Sequence, residues 1–172
     1  MKVVLIVAVC KHTMAIGKDN DLLWNLPADM QFFKTSTAGF PVLTGRKNYE
    51  SIPEKYRPLP NRENIVITRD KNYAAPGAFV LNDIQAGIKL ATTFNKEKCY
   101  VIGGGQIYKQ CLALGLIDEM LITWVDANLD GDAFFPKFKE SEWEKEELSK
   151  HQKDAKNMFD FTIVKYSTKF TG

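Results

Sequence analysis

The segment Trp24-Asn25-Leu26-Pro27-Ala28-Asp29 places a carboxylate in the first turn of a helix that Pro27 is suited to start. An acid at that position complements the helix dipole, and taken alone Asp29 reads as a capping residue. Phe32 and Phe33 follow three and four residues on, so they share a helix face with Asp29. A carboxylate on one stripe with two phenyl rings faces an apolar space. There it needs a hydrogen-bonding partner, or its pKa rises. A flat heterocycle with an amidine-like pair of N–H donors would satisfy it bidentately, as a guanidinium does.

A second constellation is Tyr100-Val101-Ile102-Gly103-Gly104-Gly105-Gln106-Ile107-Tyr108. Strand, glycines and helix in that order let backbone N–H groups approach a pyrophosphate. It is not the Rossmann fingerprint, because Tyr108 stands where the third glycine belongs, and a plain turn is the alternative. Gly45-Arg46-Lys47-Asn48 again gives a glycine and a short helix start after a strand, and Thr68-Arg69 closes another strand. Singly, each cation reads as a solvated surface charge. Together, at the ends of three strands, they favour a dinucleotide carrying an extra phosphate.

These groups need a frame. Buried-looking strands recur at residues 3–10, 41–44, 64–68, 78–81, 98–102 and 119–125, with helical patterns between them. One helix follows Pro27 through residues 28–37. Another is capped by Asn82 or Asp83 and carries Ile84, Ile88 and Ala91 on one face; a third begins at Gly104 or Gly105. The alternation argues for right-handed crossovers and a mainly parallel, twisted α/β sheet with helices on both faces. The tail differs: residues 143–148 and 158–168 read as two strands forming an antiparallel edge hairpin, which makes eight strands in all. Two long polar loops, 11–25 and 126–132, read as binding loops or lids.

The 172 residues suit one domain. Lys and Arg number 23 against 21 Asp and Glu, a net charge of +2, which gives no reason to expect nucleic acid or an anionic membrane as partner. The apolar start is short for a signal peptide and no small-residue cleavage site follows it, so it reads as a buried strand. Cys10, Cys99 and Cys111 are odd in number and widely spaced, which points to buried thiols in a reducing, cytoplasmic compartment. With only His12 and His151 and no clustered ligands, no metal is expected.

Taken in order, the constellations resemble the dihydrofolate reductase family over nearly the whole chain. The specific set is Ala8, Ile16-Gly17, Trp24 through Asp29, Phe33, Gly45-Arg46, Glu50-Ser51-Ile52, Arg57-Pro58-Leu59-Pro60, Arg62, Gly103-Gly104-Gly105, Thr123 and Asp132 through Phe135-Pro136. The resemblance implies that NADPH delivers hydride to 7,8-dihydrofolate, giving tetrahydrofolate, and that antifolate-type small molecules bind the same site. Asp29 would bind the pteridine amino group and ring N–H, with Thr123 holding the carboxylate. A proton would arrive through water near Trp24 and Leu22. Ile6, Ala8, Phe33, Ser51, Ile52, Leu59 and Ile102 would line the substrate slot, Arg62 would clamp the glutamate tail, and Arg57 would touch the rim.

On the cofactor side the resemblance places Ala8, Ile16, Gly17 and Asn20 against the dinucleotide. Gly45, Lys47, Asn48 and Gly103, Gly104, Gly105, Gln106, Ile107 and Tyr108 would hold the pyrophosphate. Arg46, Thr68 and Arg69 would surround the ribose phosphate. It also implies a cis peptide between Gly103 and Gly104, and a monomer. Leu22, Leu23, Thr44, Asn48, Tyr49 and Gln106 depart from residues common in bacterial members. Two rivals are a pyrimidine reductase of riboflavin synthesis, which shares the fold, and a folate- or nucleotide-binding paralogue without catalysis. The first has no need of the Trp24–Asp29 segment or of Arg62, and an intact Asp29 and Thr123 argue against the second.

Overall fold

The structure, a computed structural model, describes residues 1–169. Its middle strand is β1 (Lys2–Cys10), whose β-branched and apolar residues are buried on both faces, as a strand covered from both sides requires. β6 (Lys98–Gly103) and β7 (Glu119–Val125) flank it in parallel register. Beyond β6 lie β3 (Val42–Gly45), β4 (Asn64–Ile67) and β5 (Phe79–Leu81), all parallel. Beyond β7, β10 (Phe161–Thr168) runs antiparallel, and β9 (Trp143–His151) closes that edge. The order is β5-β4-β3-β6-β1-β7-β10-β9, the expected eight strands with the antiparallel pair at one edge.

Alternation along β1 assigns the two faces. Val3, Leu5, Val7 and Val9 pack with Ile84 and Ala91 of α3 (Ile84–Thr92) and with Ile107, Tyr108 and Cys111 of α4 (Gly105–Ala113). Val4 and Ile6 point the other way, against Phe32 and Phe33 of α1 (Pro27–Thr37). Asp83 caps α3, its carboxylate accepting from Ala86 N–H at 2.7 Å. A short helix, α2 (Arg46–Ser51), starts directly from β3. All three cysteines are buried and free, and burial pushes the Cys99 and Cys111 thiols up to about 12.

Two features depart from the sequence reading. The second tail strand begins at Phe161, because residues 154–157 form a tight turn around the Asp154 carboxylate. The two polar loops are tied together as well. β2 (Ala15–Gly17) and β8 (Ala133–Phe134) pair antiparallel in a separate two-stranded sheet, reinforced by Asp132 N–H to Gly17 O at 3.0 Å and Asp19 N–H to Asp132 Oδ2 at 2.9 Å. Strands this short carry no period of their own, and what makes them is a partner more than a hundred residues away.

Candidate active site

The carboxyl ends of β1, β6 and β7 open into a long cleft bounded by α1 on one side and by α2 and the start of α4 on the other. Asp29, the third residue of α1, turns its side chain to β7, and Thr123 Oγ1 donates to Asp29 Oδ1 at 2.6 Å. Thr123 is 2% exposed and lies opposite Ala8 in the β1–β7 register. Burial pushes the Asp29 carboxyl above the usual carboxylate range; the Thr123 hydrogen bond and the field of His151 pull it back. Phe32, Phe33, Leu59 and Ile102 pack with Val4 and Ile6 into an apolar wall beside it. Asp29 therefore faces a slot with apolar sides and one hydroxyl donor.

Ser51, Ile52 and Arg62 line the outer part of this slot. Arg62 is braced on the end of α1. Its Nε donates to Thr37 Oγ1 at 3.0 Å and its terminal nitrogens to Pro60 O at 2.6 Å and Lys34 O at 3.3 Å. Burial draws its pKa below the ordinary guanidinium value.

Three expected roles meet a different geometry. Arg57 does not line the cleft: it donates to Glu50 O at 2.7 Å and Ile52 O at 2.9 Å, with its guanidinium 5.9 Å from the centre of the Tyr49 ring. α2 stops at Ser51 and leaves carbonyls without helical donors, which a guanidinium satisfies. Trp24 is buried with Cys10, Leu26 and Phe161, outside the cleft lining, whereas Leu22 stands exposed at its mouth. Tyr108 is buried too, its hydroxyl donating to Ile6 O at 2.7 Å, so its side chain ties α4 to β1 instead of reaching a pyrophosphate.

The opposite wall brings Ala8, Ile16, Gly17 and Asn20 together with Gly45, Lys47, Thr68 and Arg69. The peptide between Gly103 and Gly104 is cis. Gly103 has φ 123°, and a Cβ there would stand 3.2 Å from Tyr108 Oη and 3.3 Å from Asn48 Nδ2, so the turn requires glycine. A Cβ on Gly104 would meet nothing within 4 Å. Among the described residues no side chain caps α4, so its first amides, at Gly105, Gln106 and Ile107, are left for a ligand. These residues fit the diphosphate of a dinucleotide.

The cations on this wall are not equivalent. Arg46 already holds Glu50 at 2.6 Å and Asp70 at 3.2 Å and lies over the Tyr73 ring at 4.2 Å. Lys47 and Arg69 make no ion pair among the described residues. The departures at 44 and 48 prove to be one feature. Asn48 Nδ2 donates to Thr44 Oγ1 at 2.9 Å and to Ile102 O at 3.2 Å, while Thr44 Oγ1 donates to Gly103 O at 3.2 Å. An amide and a hydroxyl thus hold the last carbonyls of β6 under the glycine turn. Two further contacts complete the site, and only the first lies in a segment singled out from sequence. Phe134 packs its backbone on Gly105, and Asn157 reaches α1 from the tail. The absence of a capping residue before Pro27 is the one sequence signal for the latter.

The comparisons agree with this geometry. The dihydrofolate reductase family model matches residues 2–168. The chain is 40% identical over 162 residues to the type 3 dihydrofolate reductase of Salmonella typhimurium, covering 94% of this chain and 96% of that one. It is 39% identical over 163 residues to the dihydrofolate reductase of Neisseria gonorrhoeae, covering 95% and 96%. A solved dihydrofolate reductase from Enterococcus faecalis, complexed with NADP(H) and RAB-propyl, superposes with a TM-score of 0.85 at 29% identity over 98% of this chain and 97% of that one. The chain belongs to the dihydrofolate reductase family, the NADPH-dependent oxidoreductases that reduce 7,8-dihydrofolate to tetrahydrofolate.

Proposed function

We propose that Asp29 is the substrate anchor of this reductase and its one electrostatic partner for the reacting ring. The observation that carries this reading is the desolvated Asp29 carboxylate held by Thr123 in an apolar slot. A carboxylate there gains most from a ligand that presents two N–H donors in one plane, as the pteridine amino group and its neighbouring ring N–H do. NADPH supplies the hydride when bound. The ionised Asp29 favours the protonated, electron-poor form of the ring that accepts it, and a water molecule carries the proton, so Asp29 need not donate one itself. The apolar wall of Ile6, Phe33, Leu59 and Ile102 keeps the ring flat and dry beside it. Arg62, whose stem and guanidinium are braced by α1, meets the glutamate carboxylates of the substrate tail.

On the other wall the uncapped start of α4 and Lys47 take the diphosphate, and Thr68 and Arg69 take the ribose phosphate. Arg46 contributes after exchanging Asp70 for that phosphate. We place the enzyme in the cytoplasm as one monomeric domain. The cheap decisive experiment is to add NADPH and dihydrofolate and follow nicotinamide absorbance. Loss of absorbance that depends on both ligands is expected. A folded protein that binds NADPH without consuming it would instead be a binding paralogue. Activity on a ribitylated pyrimidine in place of dihydrofolate would favour the riboflavin branch of the fold.

A further inference from the structure

The helix that carries Asp29 has no local cap. Leu26 stands at its N-cap and offers no side-chain acceptor, and Pro27 at the first helical position removes one free N–H. The next donor is Ala28 N–H. An acid in the third helical position commonly turns back on the amides at the start of its own helix. Asp29 does not, because its carboxylate is directed to Thr123. The missing acceptor comes from the other end of the chain: Asn157 Oδ1 accepts from Ala28 N–H at 3.1 Å, across 129 residues of sequence.

Asn157 is built for that contact. It is 8% exposed, and its amide is fixed from behind. Its Nδ2 donates to both oxygens of Asp154, at 3.1 and 3.3 Å, and its backbone N–H to Asp154 Oδ1 at 2.7 Å. With Nδ2 anchored there, only Oδ1 is turned to α1, which settles the orientation of the amide. The neighbouring Met158 Sδ accepts from Asn25 N–H at 3.3 Å, so the same turn holds the approach to the helix as well.

We propose that Asn157 is a positioning residue for the reaction: by capping α1 from the β9–β10 turn, it leaves the Asp29 carboxylate free to face the substrate. The proposal rests on the reading of Asp29 given above. Without the amide, the Ala28 N–H has lost its acceptor, and an acid in the third helical position of the same first turn is drawn back toward it.

The test is Asn157→Ala made in the native background and in Asp29→Asn, with pre-steady-state hydride transfer as the readout. Capping-sized losses predict about fivefold slower hydride transfer and weaker dihydrofolate binding in the native background, with NADPH affinity unchanged within about twofold. In Asp29→Asn the added substitution should cost nothing further. Equal losses in both backgrounds, or no loss in the native one, overturn the proposal. Should Asn157→Ala fold poorly, Asp154→Ser frees the same amide from the exposed side of the turn and should show the same pattern at smaller size. Hydrogen exchange at the Ala28 amide reads the cap without reference to catalysis: faster exchange in Asn157→Ala supports it, unchanged exchange overturns it. Full turnover by Asp29→Asn alone would remove the Asp29 reading, while Ala28 exchange would still decide the cap.

Discussion

Two largely buried carboxylates depend on the same strand, and they have opposite surroundings. Glu119 opens β7, is 7% exposed, and faces Lys2 Nζ at 2.8 Å and Lys165 Nζ at 4.0 Å. Asp29 meets β7 four residues further on, at Thr123, and receives a single neutral hydroxyl. At Glu119 the fold supplies the countercharge itself, so the site is complete. At Asp29 no ion pair forms among the described residues, and burial outweighs the Thr123 hydroxyl and the field of His151 to hold the carboxyl above the usual carboxylate range. The cations repeat the contrast, with Arg46 held by two carboxylates and Arg69 by none among the described residues. A charge left without a partner inside a cleft is available to a ligand at once; one already paired must first give up its partner.

The contrast is broken most easily at Asp29. Asp29→Asn should slow hydride transfer at neutral pH by roughly two to four orders of magnitude, and by less at acidic pH where substrate is already protonated. A pH–rate series on both proteins checks this. The same variant should be more stable than the native protein. The folded pKa of Asp29 lies above its unfolded value of 3.8, so the native carboxyl binds protons more tightly than the unfolded one and stability falls as pH rises through that interval. The Asn variant escapes that loss, so its unfolding midpoint should exceed the native one at pH 7, and the gap should close below pH 3.8. A midpoint at pH 7 that drops would mean that Asp29 is as well compensated as Glu119.

Next in size is Arg69→Gln, which should weaken NADPH by roughly 10- to 100-fold in fluorescence titrations and leave NADH almost untouched. Arg46→Gln should cost less, because that guanidinium must first give up Asp70. Thr123→Val comes third: losing one hydroxyl should weaken dihydrofolate binding by about three- to tenfold and move the Asp29 carboxyl further up, readable by carboxyl NMR titration. Glu119→Gln is the control. Turnover should stay within about twofold, while the unfolding midpoint drops by roughly 2–4 °C in a thermal melt.

What the sequence disclosed followed how local each signal was. The Asp29–Phe32–Phe33 stripe needs only helix geometry, and the buried strands need only runs of β-branched residues, so both were legible. The Thr123 contact is not local and came from resemblance to a family. Arg57 was misplaced because its partners depend on where α2 ends, a matter of one or two residues that side-chain pattern does not fix. Trp24 and Tyr108 were assigned by position in a motif, yet large aromatic rings were drawn into the interior, where their burial contributes most. The β2–β8 pairing joins segments more than a hundred residues apart through backbone groups, which leave no trace in residue type; the Asn157 cap spans a similar distance through one side-chain oxygen, and sequence shows only the vacancy before Pro27 that it fills.

The small β2–β8 sheet has a consequence for how the two halves of the cleft communicate. A Cβ on Gly131 would stand 2.6 Å from Gly17 O, and one on Gly105 would stand 2.8 Å from Phe134 O. Backbone therefore rests on backbone from the loop after β1, through the loop after β7, to the first residue of α4. Such a stack has no room for a side chain at Gly131 or Gly105, so the layers touch directly. Because coupling between two sites is reciprocal, any steadying of the cofactor turn by the loop at the mouth of the cleft is matched by an equal steadying of the loop by the turn.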